Sequence, residues 1–284
     1  MIKKILVPTD FSDNANIALE YSVEIAKKIN STIILYNVYY VPISSAGTNT
    51  LRNYNQIFKG HRKQRLIDEI TDLKNEHPDV SFKYEFDEGD PTLSIFNRSI
   101  KGDIDLIIMG RTGGSVSVRK LFGSTSSDMI NRTKVPLIIV PEKLKIKFPK
   151  EILIASDLTK DKYKSTYSLL SRVSHQFKSK VSFVTIVDSI EKIDTLKLAK
   201  KDLIKYLKKY NIDKKFNETL NSFKIIANQN VKNGLLEHLK YNKYDIIVMM
   251  PRHRNFWKKI FSSSTTKKVF NNSEIPVLVL PEDN

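Results

Sequence analysis

A chain of 284 residues holds one large domain or two of about 140, and either size buries a sizeable core. With 40% hydrophobic and 27% charged residues its composition is neither disordered nor fibrous, and no apolar run approaches the roughly 20 residues of a membrane span. The absence of cysteine excludes a disulfide framework, a thiolate nucleophile and a thiolate metal site, while a formal net charge of +16 raises the question of an anionic partner.

Residues 1–8 share lysines with a signal sequence. Their apolar run is short, however, and Pro8-Thr9-Asp10 ends it without a small-residue cleavage site, so the expected address is the cytosol. Residues 4–7 read as a short buried strand. Ser12 or Asp13 can cap the helix that follows, where Ala15, Ala18, Ser22, Ile25, Ala26 and Ile29 share one face. Residues 32–38 form a second strand, 56–75 a charged amphipathic helix and 80–86 a third strand. Pro91 suits the first turn of a helix ending near Ser99. Residues 105–109 and 137–140 are nearly continuous apolar runs, as expected of strands buried on both faces. Such alternation predicts a parallel, doubly wound α/β sheet, whose ligands sit beyond the carboxyl ends of the strands where strand order reverses.

The second half repeats the first. Lys4-Ile5-Leu6-Val7-Pro8-Thr9-Asp10 is answered by Glu151-Ile152-Leu153-Ile154-Ala155-Ser156-Asp157. The segment Asp105-Leu106-Ile107-Ile108-Met109 is answered by Asp245-Ile246-Ile247-Val248-Met249, and Val135-Pro136-Leu137-Ile138-Ile139-Val140 by Ile275-Pro276-Val277-Leu278-Val279-Leu280. The last two pairs share an offset of 140 residues. Three blocks in the same order mark a duplication joined within 143–150, with domains expected at 1–146 and 147–284. The charge divides unevenly: 20 Lys+Arg against 17 Asp+Glu in 1–146, and 27 against 14 in 147–284. The second-half lysines, among them Lys200, Lys201, Lys205, Lys208 and Lys209, are scattered through helix-like segments without a nucleic-acid-binding signature. A solvated face is expected there.

The predicted fourth strand runs into Gly110-Arg111-Thr112-Gly113, and nine residues later Gly123-Ser124-Thr125-Ser126 opens a helix. Glycines let backbone turn tightly and approach a ligand, and a helix start offers free N–H groups and a favourable dipole to an anion. Hydroxyls of Ser124, Thr125 and Ser126 can add hydrogen bonds, and Arg119 and Lys120 can neutralise charge. The pattern is neither a Walker loop nor Gly-x-Gly-x-x-Gly; taken alone, it equally describes a tight turn followed by a helix cap.

The spacing Gly-x2-Gly-x9-Gly-Ser, carried by Gly110, Gly113, Gly123 and Ser124, resembles the ATP-binding motif of universal stress proteins. The opening Ile5-Leu6-Val7-Pro8-Thr9-Asp10-Phe11-Ser12 and the closing Val135-Pro136-Leu137-Ile138-Ile139-Val140 resemble that family's first and last strands. The resemblance implies two tandem domains of adenine-nucleotide α-hydrolase-like fold, each a five-stranded, mainly parallel sheet with helices on both faces. It further implies ATP in the first: Pro8, Thr9 and Asp10 at the adenosine, Val38 at adenine, Met109 and Gly110 at the ribose, and Gly113, Gly123, Ser124 and Thr125 at the phosphates. Mg²⁺ can accompany the phosphates. Asn37 stands where family members often carry histidine.

In the second half the glycines are gone. Met249-Met250-Pro251-Arg252-His253-Arg254 takes their place, although Asp157 and Val187 keep two of the adenosine-side positions. Bulky side chains and a proline without an N–H leave little for a phosphate. The resemblance assigns this half a structural role, with the two domains pairing through their last strands inside one chain; a homodimer is a further arrangement it allows. The five histidines show no metal-ligand spacing, and Asp87, Glu88 and Asp90 form an acidic loop near the predicted pocket. The leading expectation is an ATP-dependent stress-response switch read by a protein partner. The alternatives are a slow ATP hydrolase or adenylate-transferring enzyme and a nucleotide-free dimerising scaffold.

Overall fold

The computed structural model describes residues 1–40, 49–111, 123–155, 164–187, 197, 201, 220–249 and 274–281. The chain separates into two compact units, Ile2–Glu142 and Lys143–Asn284. In the first, β1 (Lys4–Pro8), α1 (Asp13–Ile29), β2 (Thr32–Tyr39), α2 (Asn49–Glu76), β3 (Ser81–Glu88), α3 (Pro91–Ser99), β4 (Leu106–Gly110), α4 (Ser124–Arg132) and β5 (Leu137–Val140) follow in order. The strands lie as β3-β2-β1-β4-β5, every neighbouring pair parallel. Right-handed crossovers put α1 and α2 on one face and α3 and α4 on the other. The last two pack against each other.

Local chemistry explains these elements. Ser12 caps α1 by accepting from the N–H of Ala15, and Asn30 closes it in the left-handed conformation, φ 54°. The buried face of α1 holds Ala15, Ala18, Ser22, Ile25 and Ala26, as the helical spacing predicts, with Ile29 half-buried. Asp90 caps α3 and Pro91 fills its first turn. The second helix begins at Asn49 rather than near Gln56, and the asparagine-rich sequence before Gln56 hides that start because asparagine is a poor helix former.

The second unit contains β6 (Glu151–Ala155), α5 (Lys164–Phe177), β7 (Lys180–Val187), β8 (Leu220–Ala227), α6 (Val231–Tyr241), β9 (Ile246–Met249) and β10 (Val277–Val279). Its strands run β8-β7-β6-β9-β10, again parallel. Duplication reaches single hydrogen bonds. Asp105 accepts from the N–H groups of Lys3 and Lys4 as Asp245 does from Lys150 and Glu151. Ser31 donates to the Ile2 carbonyl as Ser179 does to that of Pro149. One linkage was not kept. In the first unit buried Arg98 bridges Glu85 and Asp103, holding the Asp103 carboxyl well below the usual carboxylate range. In the second, His238 takes that place and meets the Tyr244 hydroxyl at 2.8 Å.

Candidate functional site

From β1 the chain winds outward through β2 to β3, and from β4 it winds the other way to β5. The reversal falls between the adjacent strands β1 and β4, and in open α/β sheets ligands bind beyond the carboxyl ends of the strands at such a point. Pro8 ends β1, with Thr9 and Asp10 immediately after it, and Met109 and Gly110 end β4. Val38 is the penultimate residue of β2, buried. Gly123, Ser124 and Thr125 open α4, which follows β4. Gly113 lies outside the described residues, as do Arg119 and Lys120.

The turn after β1 is held tightly. The N–H of Thr9 donates to the Tyr36 carbonyl at 2.9 Å, and the Asn37 amide donates to the Thr9 carbonyl at 2.7 Å. Asn37 is fully buried, so its role is to fix this turn from the neighbouring strand. Thr9 Oγ1 accepts from the N–H of Phe11, and an Asp10 oxygen accepts from that of Ser12, each at 3.0 Å. Between them Phe11 adopts φ 66°, a conformation bulky side chains rarely take.

At the end of β4, Gly110 is required by packing. A Cβ there would lie 2.7 Å from the backbone oxygen of Asn14 in α1. The next residue, Arg111, is buried; burial lowers its pKa, with Glu142 acting in the opposite sense. The backbone of Arg111 ties this strand end to the following helix, since its carbonyl accepts from the Gly123 N–H at 2.8 Å and from the Ser126 hydroxyl at 2.6 Å. Ser126 is therefore turned inward, which corrects the expectation that its hydroxyl faces a phosphate. Ser124 is exposed and Thr125 half-buried. Gly123 is the N-cap of α4, and among the described residues no side chain caps this helix. The first N–H groups of any helix lack intrahelical partners, so α4 presents uncapped donors beside the reversal point.

The acidic loop is structural. Asp87 accepts from the Tyr36 hydroxyl at 3.0 Å, Glu88 pairs with Lys59 at 2.6 Å, and Asp90 caps α3. Among the described residues no three acidic or histidine side chains are grouped to hold a metal ion.

In the second unit the reversal falls between β6 and β9, but Asp157 and the segment 250–273 lie outside the described residues. The β7 ladder corrects one alignment. Tyr39 takes the N–H of Gly89 as Val187 takes that of Asn228, so Val187 answers Tyr39 and Ile186 answers Val38. A valine-to-valine match in sequence had concealed the one-residue shift. Ile186 is crowded against α6, where a Cβ on Gly234 would lie 2.8 Å from it.

Comparison with known proteins bears on both units. The sequence matches the profile of the universal stress protein family twice, over residues 1–141 and 150–281. Two universal stress proteins of Methanocaldococcus jannaschii are similar: one is 28% identical over 158 residues, half of this chain and 97% of the relative. The other is 28% identical over 147 residues, 51% of this chain and 85% of the relative. The crystal structure of a universal stress protein from Archaeoglobus fulgidus aligns with all of both chains at a TM-score of 0.69 and 18% identity, a likeness of fold.

Proposed function

The chain belongs to the universal stress protein family as a tandem member, and we propose that it is a cytosolic, nucleotide-dependent regulator of the stress response whose first unit binds ATP. The observation that carries this is the uncapped start of α4 beside the carboxyl ends of β1 and β4. Anionic oxygens are stabilised at such a helix start by unpaired N–H groups and by the dipole. In this reading Gly113, Gly123, Ser124 and Thr125 hold the phosphates, and Met109 and Gly110 border the ribose. Pro8, Thr9 and Asp10 face the adenosine and Val38 the adenine, while Mg²⁺ is carried mainly by phosphate oxygens.

Tyr36 and Asn37 already fix the turn at Thr9, so little ordering is left for the ligand to drive on the adenosine side. Occupancy rather than turnover is proposed as the signal. The second unit contributes structure to the tandem protein.

Calorimetric titration with ATP, combined with a measurement of ADP formed over hours, tests the proposal. Binding with no more than trace hydrolysis supports a switch. Many turnovers per chain replace it with an enzyme, and no binding at millimolar ATP removes the nucleotide from the account. Gly123→Val is expected to lose binding while circular dichroism keeps the native signal.

A further inference from the structure

Phe11 is the strained point of the first unit's ligand-facing turn, and α2 grips it. The guanidinium carbons of Arg65 and Arg62 lie 4.5 and 5.9 Å from the centroid of its ring. Arg65 is exposed and Arg62 half-buried. A non-glycine residue at φ 66° persists only where its surroundings over-determine it, and such residues gather at ligand clamps. Its surroundings include the bond from the Phe11 N–H to Thr9 Oγ1, the Asp10 bridge to Ser12, and the two arginines, while Tyr36 and Asn37 tie down the Thr9 backbone. Arginine stacks on an aromatic face as a planar cation, so a pair of them fixes the ring's position. If the ring is released, the backbone at Phe11 can relax toward negative φ, carrying Asp10 with it and withdrawing the N–H that orients the Thr9 hydroxyl, whereas the Thr9 backbone stays tied to Tyr36 and Asn37.

Resting on the ATP reading, we infer that Arg62 and Arg65 are positioning residues for the nucleoside: by clamping the Phe11 ring they hold Asp10 and the Thr9 hydroxyl in a binding-ready turn. Neither arginine needs to touch the ligand. The two contacts together set the expected loss on their removal at about threefold to tenfold in affinity. This role differs from simple attraction of an anion. Two cations near the crevice would raise ATP affinity through their charge alone, and that attraction is screened by salt.

Adenosine, which is uncharged, separates the two roles. In Arg62→Ala/Arg65→Ala, adenosine and ATP should lose affinity by the same factor, with the melting temperature within a degree or two of the parent. Phe11→Ala gives a second handle, because alanine keeps the strain of a Cβ at φ 66° yet offers the arginines no ring to hold. It should reproduce the loss, and adding it to the double variant should bring no further loss, the signature of one coupled unit. Adenosine affinity unchanged by the arginine substitutions, or losses that add when Phe11→Ala is combined with them, would overturn the inference while leaving ATP binding intact. Failure of the parent protein to bind ATP or adenosine would remove the proposed function, and this inference with it.

Discussion

Alanine at position 110 would set a methyl group 2.7 Å from the carbonyl oxygen of Asn14, an atom held in the first turn of α1. Either α1 or the end of β4 must shift, and such overpacking costs about 1–3 kcal/mol. Gly110→Ala should therefore lower the urea midpoint without changing the slope of the transition, and an unchanged midpoint would show that the strand end yields freely. His238 permits a prediction of the opposite kind, one of pH. It is buried against Tyr244, with Asn242 beside its other ring nitrogen and Lys224 near enough to act on it. Burial, assisted by the Lys224 charge, lowers its pKa from the ordinary 6.5. The folded state thus favours neutral imidazole and the unfolded chain protonates first. The stability this group allows is complete above pH 6.5 and declines below it, levelling once the folded imidazole is itself protonated. Denaturant midpoints measured from pH 7.5 downward should fall below 6.5 in the parent and fall less in His238→Gln.

The helix α4 begins without the side-chain acceptor that would stabilise its first turn. Glycine at its N-cap supplies no acceptor, whereas serine, threonine, asparagine or aspartate there would satisfy one of the orphan N–H groups. Gly123→Asp puts a carboxylate where a phosphate oxygen is proposed to sit. It should stabilise α4 by a few tenths to about 1 kcal/mol while reducing ATP affinity at least a hundredfold, through occupied donors and like-charge repulsion. A thermal melt and an ATP titration on the same sample check both signs, and retained affinity would mean that these amides do not hold the phosphates. Much of the element pattern was legible beforehand, because strands buried on both faces write themselves as apolar runs and Pro91 announces a helix start. Strand–helix alternation likewise announced a doubly wound sheet with a reversal, whereas its place between β1 and β4 is read from the structure. What stayed hidden depends on non-local packing: the close approach of Asn14 that requires Gly110, the burial of Arg111, and the inward turn of Ser126. Asn37 was visible as a polar residue in an apolar strand, but its bond to the Thr9 carbonyl joins two strands and leaves no trace in either alone.

Two copies of one fold need not mean two sites. The units share strand order, the Asp105 and Asp245 ties and the left-handed residues Asn30 and Lys178, so the scaffold is the same in both. The residues at the reversal points have diverged. Residues 249–266 contain no glycine, and Pro251 lacks the N–H that a phosphate cradle would use. Ile186, in the place of Val38, adds a methylene to a position already crowded against α6. In the proposed binding mode these changes fall on different parts of a nucleotide, so reverting one of them is expected not to restore a site. Calorimetry with ATP should accordingly return one equivalent per chain, and Gly123→Asp should reduce that number to zero rather than to a residual half. Two equivalents in the parent, or binding that survives at full affinity in half the sites of the variant, would place a working pocket in the second unit and overturn the division of labour between the copies.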